Sequence, residues 1–182
     1  MYSPHSPFML DKNKILEHLN LKEGMIVADF GCGGLGYLTF PVSARIGRNG
    51  LIYAIDILKT NLSCIESKIK SDRVENIKTV LADIEQRHTL DIADEALDRI
   101  LLVNTLFQIN NHNSVFEIAV RLLKPSGQIL VIDWQKKEHA FGPPSHHKIE
   151  KNNILKLSDK HQLKIVNDFE AGAHHYGIIF SK

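Results

Sequence analysis

The stretch Val27-Ala28-Asp29-Phe30-Gly31-Cys32-Gly33-Gly34-Leu35-Gly36 carries the densest chemical signal in the chain. An apolar, strand-like run ends at Asp29 and Phe30, and Gly31, Gly33 and Gly36 then satisfy G-x-G-x-x-G ahead of a helical segment. Glycines there permit a tight turn and let a ligand approach the backbone. The helix beyond would offer unpaired amides to an anion. Asp56, twenty residues past Gly36, closes a second apolar run. A carboxylate at that place can accept hydrogen bonds from both hydroxyls of a ribose, or cap the next helix. Asp83 follows a third run, in Val80-Leu81-Ala82-Asp83-Ile84. It is either an acceptor for an exocyclic amine such as adenine's or a solvated loop aspartate.

A proton acceptor is harder to find. Of the ten histidines, His112 in Asn110-Asn111-His112-Asn113 follows the fourth apolar run and is the candidate base. The competing reading is a polar loop that caps the next helix. His146-His147 and His174-His175 are adjacent pairs. Neighbours on a strand point to opposite faces, so neither pair is expected to chelate a metal. The basic stretch 135–151 either faces an anionic substrate or is a solvated surface.

These residues need elements to position them. Residues 11–19 read as a helix with Asp11 as N-cap and Ile15, Leu16 and Leu19 on one face. Strands are expected over 25–30, 51–55, 77–81, 97–103 and 128–133. Helices are expected over 39–46 (Pro41 in the first turn), 58–70 with Leu62, Ile65 and Ile69 inward, 114–123 ahead of Pro125, and 149–161. Two last strands, 163–169 and 176–180, are joined by Ala171-Gly172-Ala173 without a helix, and so must run antiparallel. Repeated strand–helix units demand right-handed crossovers and a parallel sheet covered on both faces. The fold class is α/β: a Rossmann-like, doubly wound, mostly parallel seven-stranded sheet with a C-terminal antiparallel hairpin. A ligand site belongs beyond the carboxyl ends of its strands. That rim gathers residues 29–36, Asp56, Ile57, Asp83, Ile84, residues 104–107 and residues 133–135.

Composition sets the outer limits. At 182 residues with 43% hydrophobic and 24% charged residues, the chain suits one globular domain. Residues 1–10, with Pro4 and Pro7, are read as a flexible arm, and residues 11–182 as a single domain. A net charge of +1 argues against a nucleic-acid binder that relies on bulk positive charge. No run reaches the length of a membrane span. Two cysteines, Cys32 and Cys64, form neither a disulfide framework nor a zinc motif, and the expected location is the cytoplasm. The number of subunits is not legible.

With these motifs in view, the chain resembles the class I S-adenosylmethionine-dependent methyltransferases, over nearly its whole length from about Ile15. Asp29 before the glycine turn, Asp56, and Ala82-Asp83-Ile84 resemble that family's motifs. So do Leu122-Leu123-Lys124-Pro125-Ser126-Gly127 with the strand after it, and the terminal hairpin. The small ubiquinone/menaquinone-biosynthesis-like members are the most similar. The resemblance implies S-adenosyl-L-methionine as cofactor and a small-molecule methyl acceptor. It places Asp29, Gly31, Cys32, Gly33 and Gly36 at the methionine end, Asp56 on the ribose, Ile57 and Ile84 about the adenine, and Asp83 on its amine. Asn104 would stand near the methyl group, with Phe107 and Trp134 on the acceptor side. Two departures stand out. Leu35 occupies the place of the family's last glycine, with Gly36 after it, as if one residue were inserted. Asn104-Thr105-Leu106-Phe107 lacks the N-P-P-[YF] motif of many enzymes that methylate amide or base nitrogens. Alternatives remain open: a cofactor-binding scaffold without catalysis, a nicotinamide-dependent oxidoreductase, or a methyltransferase acting on RNA or protein.

Overall fold

The computed structural model describes residues 10–137 and 142–182. The expected arm lies outside the described residues except for Leu10, whose carbonyl accepts a hydrogen bond from the Tyr37 hydroxyl at 3.1 Å. Seven strands form one sheet in the order β3-β2-β1-β4-β5-β7-β6. They are β1 Ile26–Phe30, β2 Leu51–Asp56, β3 Ile77–Leu81, β4 Leu97–Val103, β5 Leu123–Trp134, β6 Lys164–Gly172 and β7 His175–Ser181. Strands β1 to β5 pair in parallel, whereas β7 runs antiparallel to both β5 and β6. The Rossmann-like sheet and terminal hairpin expected from the sequence are therefore present.

Alternating side chains send each strand into two layers. On one face α1 Lys12–His18, α2 Thr39–Ile46 and α3 Lys59–Asp72 pack Ile15, Val42, Ile46, Leu62 and Ile65 against Val27, Ile52 and Leu101. On the other, α4 His112–Leu122 and α5 Lys151–Lys160 pack Phe116, Ala119 and Ile154 against Phe30, Ile100 and Val131. Asp11 caps α1 as expected, accepting from the Lys14 amide at 3.1 Å. Helix α2 is fixed at both ends. Thr39 at its start donates to Asp29 at 2.6 Å, and the buried Asn76 amide donates to the carbonyls of Ser43 and Gly47 near its end.

Several boundaries differ from expectation by one to five residues, and three of these have a visible cause. Strand β5 starts at Leu123 rather than 128, because Leu123 already pairs with Leu97; the register shift that follows absorbs the expected Pro125-Ser126-Gly127 turn as a bulge, with Ser126 at φ 64°. Helix α4 starts at His112 rather than 114, because Asn111 is its N-cap and accepts the Ser114 amide at 3.1 Å. The last hairpin turns at Ala173 and His174, since Gly172 still pairs with His175.

Candidate cofactor site

The carboxyl ends of β1, β2, β3 and β4 open into a cleft of 230 Å³. Its walls bring together Gly31, Asp56, Ile57, Asp83, Ile84 and Thr105, all expected at the rim, with Asn61 and Gln108, which were not.

Asp56 is the best-held carboxylate of the group. Oδ2 accepts the Gly33 amide at 3.0 Å and the Asn61 side-chain amide at 3.1 Å, and Oδ1 accepts the Leu58 amide at 2.9 Å. An ionised carboxylate offers about four lone-pair sites, so one remains on Oδ1. The residue that holds the start of the next helix thus keeps one acceptor position open. Asp83 accepts the Glu85 amide on Oδ1 at 2.9 Å, and its Oδ2 has no partner among the described residues. Ile57 is 62% exposed at the lip of the cleft and Ile84 is 6% exposed in its wall. An isoleucine open to water beside a buried one leaves an apolar slot of the kind a flat heterocycle fills.

The glycine turn works differently from a phosphate cradle. Gly31, Gly33 and Gly36 all take positive φ, at 76°, 62° and 54°, whereas Leu35 does not and is 59% exposed. The left-handed position therefore falls on Gly36 itself, and the displaced glycine leaves no strained leucine. The amides of Gly31 and Cys32 donate to the Ile55 carbonyl at 2.9 and 3.0 Å; those of Gly33 and Gly36 go to Asp56 and the Gly33 carbonyl. Four amides of the turn are thus spent within the protein and are not free for an anion.

Other expected contacts are corrected by packing. The Cys32 side chain lies in the core among Val42, Leu62 and Ile65, and burial, with Asp29 and Asp56 nearby, pushes its thiol far up. A Cβ on Gly36 would stand 2.7 Å from Ile65, so that glycine serves helix packing. A Cβ on Gly31 would stand 2.8 Å from the Thr105 side chain, which donates to the Phe30 carbonyl at 3.0 Å. Gly31 permits β1 and the segment after β4 to close on each other. Asp29 is buried beneath the turn, and its carboxyl is pushed up to about 6 by burial, with the Thr39 hydrogen bond opposing and the Asp56 charge adding.

Asn104 closes the site on the β4 side. It is 4% exposed and takes φ 53°, a left-handed conformation that asparagine tolerates better than most residues. Its Oδ1 is buried without a hydrogen-bond partner. Such an orphan acceptor is costly unless a ligand fills it. Phe107 and Trp134 do not line the cleft. Phe107 is half-buried, and Trp134, 1% exposed, packs 4.1 Å from the His175 ring and against Gly142. His112 sits behind the turn Leu106–Gln108, with Nε2 donating to the Leu106 carbonyl at 2.8 Å. That nitrogen is committed to structure. Asn61 and Gln108 were missed because their roles depend on long-range packing. Only Asn61, five residues past Asp56 in the first turn of α3, carried a local signal.

A parallel sheet with a reversed last strand, a carboxylate at the end of β2 and an apolar slot beside it define a class I methyltransferase architecture. Residues 21–173 match the family described as "Methyltransferase domain". The chain belongs to that family, as a class I S-adenosylmethionine-dependent member. It is 30% identical over 129 residues to the ubiquinone/menaquinone biosynthesis C-methyltransferase UbiE of Shewanella pealeana, a match covering 70% of this chain and 50% of that protein. The chain thus spans half the length of that relative. A SAM dependent methyltransferase from Aquifex aeolicus shares the fold with TM-score 0.88 at 24% identity, over 98% of this chain and 93% of that one. The [4+2]-cyclase SpnF shares it with TM-score 0.75 at 16% identity, over 88% of this chain and 58% of that one. The same fold therefore hosts more than one reaction, and function must be argued from the site. No helix among the described residues is long and apolar enough to cross a membrane.

Proposed function

We propose that the chain catalyses S-adenosylmethionine-dependent methyl transfer to a small-molecule acceptor. The observation that carries this reading is the cleft itself. A carboxylate with one lone pair open, an apolar slot and an unpartnered buried amide oxygen stand along one rim, and they suit the ribose, the adenine and the methionine amine of that cofactor in turn. The residues fit the group: Asp56 faces the ribose hydroxyls, Ile57 and Ile84 the two faces of the base, and Asp83 its exocyclic amine. Asn104 Oδ1 accepts from the ammonium of the methionine end.

Bound there, the cofactor supplies a methyl group on a sulfonium, an electrophile that needs no further activation. The task left to the chain is alignment and exclusion of water. Asp29 and Asp56 add negative potential near a cationic ligand. In this placement the open carboxylate oxygens of Asp56 and Asp83 face the cofactor rather than the acceptor, so an acceptor already ionised or easily deprotonated is favoured. The 30% identity to a quinone-biosynthesis C-methyltransferase makes electron-rich aromatic carbon the first acceptor class to test. The balanced charge supports a small acceptor over nucleic acid. The unpaired Cys32 and Cys64 accord with a reducing cytoplasm.

The test is turnover. Incubation with S-adenosylmethionine and a panel of hydroquinones and phenols is expected to release S-adenosylhomocysteine only when an acceptor is present. Binding of the cofactor with no release across carbon, oxygen and nitrogen acceptors would favour the non-catalytic scaffold instead.

A further inference from the structure

Asp133, the penultimate residue of β5, is fully buried, and no residue of the cofactor site described above requires it to be ionisable. Its Oδ1 accepts the Trp134 amide at 2.7 Å, and its Oδ2 accepts the Phe107 amide at 3.3 Å. Phe107 is the middle residue of the turn Leu106–Gln108, and that turn is part of the cleft. Thr105 just before it, Gln108 within it and Ile109 after it all line the cavity. Thr105 in turn meets Gly31, and the Gln108 side chain donates to the Asn104 carbonyl at 3.2 Å. A carboxylate on β5 therefore holds, through one backbone amide, the wall that completes the cleft.

We propose that Asp133 is a positioning residue for cofactor binding: when ionised it anchors the turn Leu106–Gln108 by a charge-assisted hydrogen bond and so sets the β4-side wall of the cleft, and when protonated it holds that wall only as a weaker, neutral acceptor. This inference rests on the cofactor reading above. A neutral side chain could accept the same amides without the cost of burying a charge, but more weakly, so the charge matters for how firmly the turn is held. The groups around Asp133 bear on that charge. Tyr176, its register partner on β7, is the ionisable group that faces it, and burial, with Asp133 adding to it, pushes that phenol far up, so it stays neutral. His112 on α4 touches the same turn, but through the Leu106 carbonyl and not through Asp133. The turn itself and Asn104 carry no charge. Burial pushes the Asp133 carboxyl up to about 7, opposed by the amides of Trp134, Phe107 and Leu106. The anchor thus switches in the neutral range.

The sign follows. Lowering the pH from 8 to 6 takes a group titrating near 7 from mostly ionised to mostly protonated. If only the ionised form binds well, apparent affinity falls by about tenfold over that interval. Asp29, held at about 6, contributes at most about twofold in the same range.

Two measurements on the whole chain test this. The first follows the Phe107 amide by NMR from pH 5 to 9 without ligand. The second measures the Kd for S-adenosylhomocysteine over the same range in the wild type and in Asp133→Asn. The expected result is a Phe107 shift that titrates near neutrality, a Kd that rises about tenfold from pH 8 to 6, and a profile flattened to about twofold or less in Asp133→Asn. A Phe107 amide indifferent to pH, or a variant whose Kd keeps the full wild-type slope, would overturn the proposal and leave the cofactor reading standing. A Phe107 titration with no ligand binding at any pH would instead overturn the cofactor reading, and with it the link to affinity. The wild-type titration keeps the test decisive even if Asp133→Asn fails to fold.

Discussion

Asp56 shows how one side chain can serve both fold and ligand. Three donors from its own chain hold it, and one lone pair stays open. Asp56→Ala is expected to weaken S-adenosylhomocysteine binding by about 1–3 kcal/mol, the range for loss of a buried charged acceptor, as read by calorimetry. Asn61→Ala is expected to act in the opposite sense or not at all, because it frees a lone pair on Oδ2 that a ribose hydroxyl can use. At Gly31 the cost falls on folding. Gly31→Ala places a Cβ against Thr105 at a positive φ and is expected to destabilise the protein by about 1–3 kcal/mol in urea unfolding. The acids at the strand ends were legible in the sequence, because strand-end position plus residue type is a local pattern. Cys32 and Gly36 belonged to the glycine motif, yet what packs against them depends on α3, which lies close in space but far in sequence. Asp133 was placed on the rim by its strand, while its grip on Phe107 required the structure.

Among the elements, α2 bears most directly on the site. No side chain caps its N-terminus from the Leu38 position, and Asp29 below provides the nearest negative charge through Thr39. Thr39→Val removes a hydrogen bond to a carboxyl that titrates near 6. The expected loss of stability is about 1.5–3 kcal/mol at pH 8, where the partner is ionised, and nearer 0.5–1.5 kcal/mol at pH 5, where it is not. Urea unfolding at the two pH values checks this, and equal losses would contradict it. Period and punctuation predicted every helix and strand of the described sheet. Their ends drifted where pairing overrode local chemistry, as at Leu123, where a partner in β4 extends a strand through a proline and a bulge.

At the scale of the whole molecule, the two buried carboxyls set a pH dependence of folding. Asp29 at about 6 and Asp133 at about 7 both bind a proton more tightly folded than unfolded. Their contribution is full below about 4 and is lost as the pH rises through about 6 and about 7. In Asp133→Asn the upper part of that loss is expected to vanish, so the difference in unfolding free energy between pH 8 and pH 6 should shrink relative to wild type. The order β3-β2-β1-β4-β5-β7-β6 brings the acids of β1, β2 and β5 to one rim, and that convergence is what the sequence could only imply through its alternation of elements. The spent amides of the glycine turn were not legible, because the motif reads alike whether its donors face a phosphate or the chain. They distinguish a cationic cofactor from a dinucleotide, and the central claim can be tested on that distinction. Calorimetric titration of the folded chain with S-adenosylhomocysteine and, separately, with NAD is the direct measurement. Saturable micromolar binding of the first and none of the second is the predicted result, whereas binding of NAD, or of neither, would contradict the account.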